Sequence, residues 1–286
     1  MMTKIKKSAK KKIDRNSNKK LPQMSNYSKV QAEQSNPRVK KSVSALDPNG
    51  QVWLFGTHAV EAALGNSRRK KYRLLVNQES ATTYKTEENE IEPEYVSRQY
   101  IESKLPLEAV HQGVALLVAP LDHMPIETIC KNATDKSVII VLDQVTDPRN
   151  IGAIMRSAIA FGASSLIVPD RHTPETSASM AKAASGAADL LPIVRVRNLA
   201  RSLVLLKKAG FWLAGLDAKA QKSIAETNLN GKLAIILGSE GSGLRRLTAQ
   251  NCDYLINIPM DPSSGSLNVS VAASIALYEI YKNRNI

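Results

Sequence analysis

Five polar side chains sit beside loops that leave apolar runs. Asn150 and Arg156 belong to the stretch Leu142–Ala163, Glu240 to Leu233–Leu244, and Ser266 and Asn268 to Ile256–Ile280. Their chemistries differ. An arginine is a permanent cation with a planar fork of donors, suited to a phosphate or carboxylate. A glutamate inside a glycine-rich loop can accept a proton or a hydrogen bond. Each also has a plainer reading: Arg156 as a surface cation or a partner of Asp147, Glu240 as the cap of the following helix, and Ser266 or Asn268 as the N-cap of a helix opening near Val269. Arg156 lies four residues after Gly152. Helical side chains lean toward the N-terminus, so Arg156 is expected to reach over that bare position toward the loop mouth.

The second stretch places Gly238, Gly241 and Gly243 directly after an apolar strand, where glycine permits positive φ and a close approach of ligand to backbone. The spacing is neither GxxxxGK[ST] nor GxGxxG, so it carries no signature of a P-loop or a dinucleotide fold. Ile258 and Leu267 flank the third loop, placed to wall a cofactor or to pack in the core. In an open parallel α/β sheet, ligands bind where such loops leave the carboxyl ends of strands.

The elements that must position these residues read as alternating strands and helices from Ser137 onward. Strands are expected at Val138–Leu142, Ser165–Val168, Leu191–Val196, Trp212–Leu216, Leu233–Leu237 and Tyr254–Ile258. Helices are expected at Ile151–Phe161, Ser177–Ala187, Leu199–Ala209, Leu244–Gln250 and Val269–Lys282, with Asp147–Asn150 as a loop. Ile151, Ile154, Ala158 and Phe161 share one helical face. Unbroken runs such as "VIIVL" and "LAIIL" suit a parallel sheet covered on both sides. Earlier in the chain, "VWLFGTHAVEAAL" reads as a strand and a helix capped by Thr57, with strands again at Tyr72–Val76 and Val114–Leu121 and a helix before the latter. The expected organisation is a basic tail (1–45), a small α/β domain (46–119), a linker with a short helix (120–136) and a larger α/β domain (137–286).

Charge is unevenly placed. The net formal charge is +13, and Met1–Ala45 alone holds thirteen lysines and arginines against two acids, while the remaining 241 residues carry 26 basic and 24 acidic side chains. Such a tail buries no core and favours polyanions such as RNA, or is a solvated arm with no specific role. Arg68, Arg69, Lys70 and Lys71 are candidates for phosphate contacts, or a solvated face. The lysine-rich start leads into no apolar stretch of a signal peptide, its lysines speak against a transit peptide, and no apolar run approaches a membrane span. Cys130 and Cys252 stand far apart, and His58, His111, His123 and His172 show no ligand spacing, so a reducing cytoplasm is expected and a metal site is not.

The three stretches together resemble the motifs of the SPOUT superfamily of RNA methyltransferases, in its 2′-O-ribose branch. "DPRNIGAIMRSAIAFGA", "LGSEGSGL" and "IPM…SLNVSVA" occur in order across most of Ser137–Ile286. "FGTHAVEAAL" and "HQGVALLV" resemble the small ribosomal-protein-like RNA-binding domain of bacterial 23S rRNA guanosine 2′-O-methyltransferases. The basic tail and much of the acidic insertion Glu87–Glu94 lie outside the resemblance, and "MDPSSGS" departs from a family pattern in which glycine often follows the methionine. The resemblance implies a parallel-sheet domain with a deep trefoil knot, a homodimer whose sites lie at the subunit interface, and S-adenosylmethionine held by Gly238, Ile258 and Leu267. It matches Asn150, Arg156, Glu240, Ser266 and Asn268 to the family's polar catalytic positions. The family's matched arginine is proposed as the base for the ribose hydroxyl. Arginine ordinarily stays protonated, so the physical alternative is a clamp on the substrate phosphate while water or another group takes the proton. The implied activity is methylation of a guanosine 2′-hydroxyl in 23S rRNA. Competing expectations are the same transfer on tRNA, a ribosome-assembly or RNA-binding protein without catalysis, and, more distantly, a nicotinamide enzyme.

Overall fold

The computed structural model describes residues 47, 49–84, 90–107, 109–171, 183–184, 186–261, 263 and 265–285. The tail, His172, most of the helix expected at Ser177–Ala187 and part of the acidic insertion lie outside them.

Two sheets organise the described chain. The first has four strands in the order β1-β4-β2-β3, with β1 at Val52–Phe55, β2 at Lys71–Val76, β3 at Pro93–Tyr95 and β4 at Val114–Val118. β4 pairs antiparallel with β1 and β2, and β3 joins β2 in parallel. Alternate residues feed two cores, as the period of two requires. Leu54, Leu74 and Leu116 pack with Val60 and Ala63 of α1 (Thr57–Gly65), while Trp53, Phe55 and Leu75 pack with Ile101 of α2 (Arg98–Lys104). The expected Thr57 cap is replaced. Gly56, at φ 87°, is the N-cap, and Gln112 Oε1 accepts from Thr57 N (3.1 Å) and Thr57 Oγ1 (3.3 Å). The strand-to-helix turn demands a left-handed residue without a side chain, so a distant glutamine supplies the capping oxygen. β3 is not among the expected strands, being a three-residue edge strand that starts at a proline and has no alternation to show.

The second sheet is seven-stranded and wholly parallel, in the order β7-β6-β5-β10-β8-β11-β9. Its strands are β5 (Val138–Asp143), β6 (Ser165–Pro169), β7 (Ile193–Val196), β8 (Trp212–Leu216), β9 (Lys222–Ser223), β10 (Leu233–Gly238) and β11 (Tyr254–Asn257). All six residues of β5 are buried. Ile140, Leu142 and Ile235 face a core shared with α4 (Pro148–Ala160) and α8 (Val269–Asn285). Ile139, Val141 and Ile236 face the opposite core, under α6 (Leu199–Lys208) and α3 (Ile126–Asn132). The short helix of the expected linker therefore buries Ile126 and Ile129 against this sheet.

Two helix starts differ from expectation. α4 begins at Pro148 rather than Ile151, because Asp147 caps it by accepting from Arg149 N (2.8 Å) and proline is pre-set for the first turn. Asn150 is thus a first-turn helical residue. α7 runs over Arg246–Asn251.

The two sheets meet at α5 (Ala187–Leu190). Asn66 Nδ2 donates to Asp189 O and Oδ1 (both 3.1 Å), and Arg69 Nε lies 3.5 Å from Asp189 Oδ1, with side chains only 1% and 3% exposed. Burial pushes the Asp189 carboxyl up and the Arg69 guanidinium down, against their mutual attraction.

Candidate active site

A cavity of about 530 Å³ opens at the carboxyl edge of β8, β10 and β11. Leu216, Leu237, Ile256, Val269 and Ala272 form its apolar walls. Gly238–Leu244 borders it from one side and Ile258, Met260, Ser266, Leu267 and Asn268 from another. The loop Asp217–Lys219 after β8 also lines it. Sequence reasoning passed over that loop, whose signal was an acid placed directly after an expected strand.

The glycines of the β10 loop have separate jobs. Gly241 and Gly243 occupy left-handed backbone, at φ 86° and 67°. Gly238 is needed for closeness instead, because a Cβ there would overlap the Gly243 carbonyl and Leu244 N. The loop folds back on the strand end, with Ser239 N donating to Gly243 O (3.2 Å) and Gly243 N to Ser239 O (3.0 Å).

Three of the predicted residues meet at the cavity rim. Asn150 Nδ2 and Asn268 Nδ2 each donate to Glu240 Oε1 (2.8 Å), and Asn268 Nδ2 also approaches Asn150 Oδ1 (3.1 Å). Asn268 Oδ1 meanwhile accepts from Ser270 N (2.9 Å) and Ser270 Oγ (2.6 Å), so the residue caps α8 and joins the cluster at once. Glu240 does not cap the next helix. It ties α4 to α8 through two amide donors. Ser266 lies exposed at the rim, and Ile258 and Leu267 are half-buried in the wall.

Arg156 is not part of this assembly. It is exposed, lies outside the cavity wall, and makes no hydrogen bond or ion pair among the described residues. Asp147 is not its partner, because Arg149 Nη2 occupies that carboxylate at 3.0 Å. Gly152, over which Arg156 was expected to reach, is buried in the same helix. The helix that carries Arg156 packs on α8 through Ser157 Oγ and Ser274 Oγ (2.7 Å) and through Phe161 against Tyr278 (ring centroids 5.7 Å).

Other candidates divide similarly. Within the basic run, Arg69 is spent on Asp189, and Lys71 Nζ bonds Glu90 at 2.6 Å with its side chain 4% exposed. Only Arg68 and Lys70 remain exposed, with Lys70 Nζ 5.3 Å above the Tyr72 ring. Burial pushes the Cys252 thiol up to about 12 and raises that of Cys130, so neither is a ready thiolate nucleophile. No group of three metal-ligating side chains occurs among the described residues, and none of their helices is long and apolar enough to cross a membrane. The departing segment after Met260 makes its own turn, where Asp261 Oδ1 accepts from Ser263 N at 2.9 Å. Sequence reasoning also missed Asp143, a wholly buried acid at the end of β5 that binds Arg245.

Residues 137–278 match the model of the SpoU rRNA methylase family, and residues 53–124 match that of RNA 2′-O ribose methyltransferase substrate binding. The chain belongs to the SpoU rRNA methylase family. The 23S rRNA (guanosine-2′-O-)-methyltransferase RlmB of Pasteurella multocida is 39% identical over 241 residues, covering 81% of this SpoU methylase and 98% of the relative. A putative TrmH family tRNA/rRNA methyltransferase, YacO of Bacillus subtilis, is 36% identical over 240 residues, covering 82% and 96%. The fold is shared with the crystal structure of the SpoU methyltransferase AviRb from Streptomyces viridochromogenes in complex with AdoMet, at a TM-score of 0.70 and 24% identity over 82% of this chain and 91% of that one. The two family matches fall on the two sheets, so the small sheet corresponds to substrate binding and the parallel sheet to the methylase.

Proposed function

We propose that this SpoU methylase transfers a methyl group from S-adenosylmethionine to the 2′-hydroxyl of a guanosine in 23S rRNA. The observation that carries the reading is the cavity built beside the Asn150–Glu240–Asn268 cluster, in a chain 39% identical to an RlmB methyltransferase. Its volume lies in the range of small-ligand sites, and its walls pair apolar side chains with exposed loop backbone, as a nucleoside cofactor requires. Gly238, Ile258 and Leu267 would hold that cofactor, whose contribution is an electrophilic methyl on a sulfonium. The chain's own residues then have to bring a weak nucleophile into line. Glu240, held by two amides, fixes the cofactor loop against α4 and α8. Ser266 and Asn268 border the place where the ribose enters. Arg156 clamps an RNA phosphate, and its charge favours the ionised hydroxyl while water takes the proton.

A homodimer completes the site in this reading. Val271, Ile275 and Tyr278 repeat at helical spacing on α8 and remain exposed, by 46%, 38% and 53%. A second copy on that face would bring Arg156 of one protomer toward the cavity of the other. The division into a basic tail (1–45), RNA-binding domain (46–119), linker (120–136) and methyltransferase domain (137–286), a trefoil knot in the chain after β10, and a cytoplasmic location belong to the same reading. They are supported by the order of β10, β8 and β11 and by the two free cysteines.

The test is methyl transfer from labelled S-adenosylmethionine to unmodified 23S rRNA and to unmodified tRNA, with the modified nucleotide mapped. A 2′-O-methylguanosine in 23S rRNA is the expected product. Label confined to tRNA would keep the chemistry and move the target. No label together with no cofactor binding would leave an RNA-binding protein.

A further inference from the structure

The loop carrying Glu240 is fastened by a pair that the proposed reaction does not use. Asp143 ends β5 with no exposed surface, and in the sheet it stands opposite Gly238, the last residue of β10. Its Oδ2 accepts from the main-chain N of Arg245 (3.0 Å) and its Oδ1 from Arg245 Nε (2.6 Å). Arg245 is the residue that follows the loop and the N-cap of α7. One buried carboxylate therefore sits beside both ends of Gly238–Leu244, through strand pairing at one end and two hydrogen bonds at the other.

A carboxylate taken wholly out of water is costly unless its lone pairs are filled. Among the described residues, Arg245 alone supplies donors to this side chain. The arginine itself is half in solvent, with its side chain 48% exposed. The pair is thus asymmetric, a buried acid holding a half-exposed partner at the edge of the cavity loop. An apolar residue at position 143 would continue the strand at no such cost, so the acid is there for what it holds.

We propose that Asp143 is a positioning residue and that the Asp143–Arg245 clasp holds the Gly238–Leu244 loop closed before any ligand arrives. Glu240 thereby meets Asn150 and Asn268 without reorganisation, and the cofactor wall is preformed. The loop part of this proposal stands on geometry alone. Its consequence for S-adenosylmethionine rests on the proposed function.

Amide hydrogen exchange on the full chain, without cofactor, tests the clasp directly in Asp143→Asn and Arg245→Lys. Asp143→Asn should speed exchange in residues 239–245 about tenfold while leaving β6 and β7 at wild-type rates. Arg245→Lys keeps the main-chain bond and exchanges the Nε donor for a point charge, so it should act in the same direction and less. The double variant should exchange no faster than Asp143→Asn, since both substitutions break one interaction. Titration calorimetry should then show S-adenosylmethionine binding weakened about tenfold by Asp143→Asn, the loss expected for a charged hydrogen bond. In turnover, KM for the cofactor should rise more than kcat falls.

Wild-type exchange rates in 239–245 for both variants would overturn the clasp. If Asp143→Asn does not fold, Arg245→Lys decides alone. A wild-type protein that binds no S-adenosylmethionine, with loop exchange still responding to Asp143→Asn, would keep the clasp and remove the cofactor reading.

Discussion

Helix α4 carries two polar residues less than two turns apart with opposite circumstances. Asn150, in its first turn, is bonded to Glu240 and Asn268 and belongs to a network completed within one chain. Arg156 is exposed and has no partner among the described residues. Under the proposed function, the contrast separates two parts of a site. One is assembled by folding and is ready before substrate. The other is a cation kept free of internal partners, which is what a group reserved for an incoming anion needs. A carboxylate near Arg156 would have neutralised it, and the nearest acid in sequence, Asp147, is occupied by Arg149.

The contrast predicts that the two residues fail differently. Arg156→Ala should lower methyl transfer by about a thousandfold, since it removes charge stabilisation at the reacting centre, and should leave the thermal midpoint where it was. Retained turnover in that variant would take Arg156 out of the mechanism. Glu240→Ala should cost about a hundredfold in turnover and also weaken cofactor binding, because the loop loses its tie to both helices. Glu240→Gln should recover most of both, as an amide oxygen can still accept from Asn150 and Asn268. A glutamine variant as inactive as the alanine one would show that the negative charge, not the bonding, is what Glu240 supplies.

Mixing the two inactive variants sharpens the comparison further. If Arg156 serves the partner's cavity, an equal mixture of Arg156→Ala and Glu240→Ala should regain about a quarter of wild-type activity, the share of sites inheriting both intact residues in a random two-fold dimer. No recovery, with subunit exchange confirmed by tagged copies, would place both residues in one chain's site.

The smallest effect concerns the cap of the shared helix. The Asp147 carboxyl is held below its ordinary range by the Arg149 side chain and then by the Arg149 main-chain N–H. Its folded value is depressed, so its contribution to stability is present above the unfolded value of about 4 and is lost as pH falls through the folded one. Asp147→Ala should cost about 1 kcal/mol at pH 7, a typical loss for an N-cap, and the gap to wild type in urea midpoints should narrow as pH falls below about 4. A gap unchanged at pH 3 would mean that the ionised carboxylate is not the capping group.

Local pattern and local stereochemistry carried most of the fold. Six expected strands of the parallel sheet occur, because a strand buried on both faces must read as a short unbroken apolar run, as Val138–Leu142 does. Helices α6 and α8 start where their sequences place them, because an Asn at position 198 or 268 announces its own cap. Where the pattern was too short or the cap came from elsewhere, reading failed. β9 has two residues, β3 has three, and the oxygen capping α1 comes from Gln112, 55 residues away.

What the sequence determined by itself was the set of pieces: apolar runs for a covered parallel sheet, glycines for a tight loop, and motifs whose resemblance pointed to RNA methylation. What only the tertiary structure decided was which side chains meet. Asn150 and Asn268 lie 118 residues apart and share Glu240, Asp143 reaches across 102 residues to Arg245, and Asp189 removes Arg69 from a basic run that looked free. Periodicity and capping are set by neighbours within a turn or two of chain, whereas these pairs depend on strand order, and strand order is settled by how all the elements bury their surfaces together.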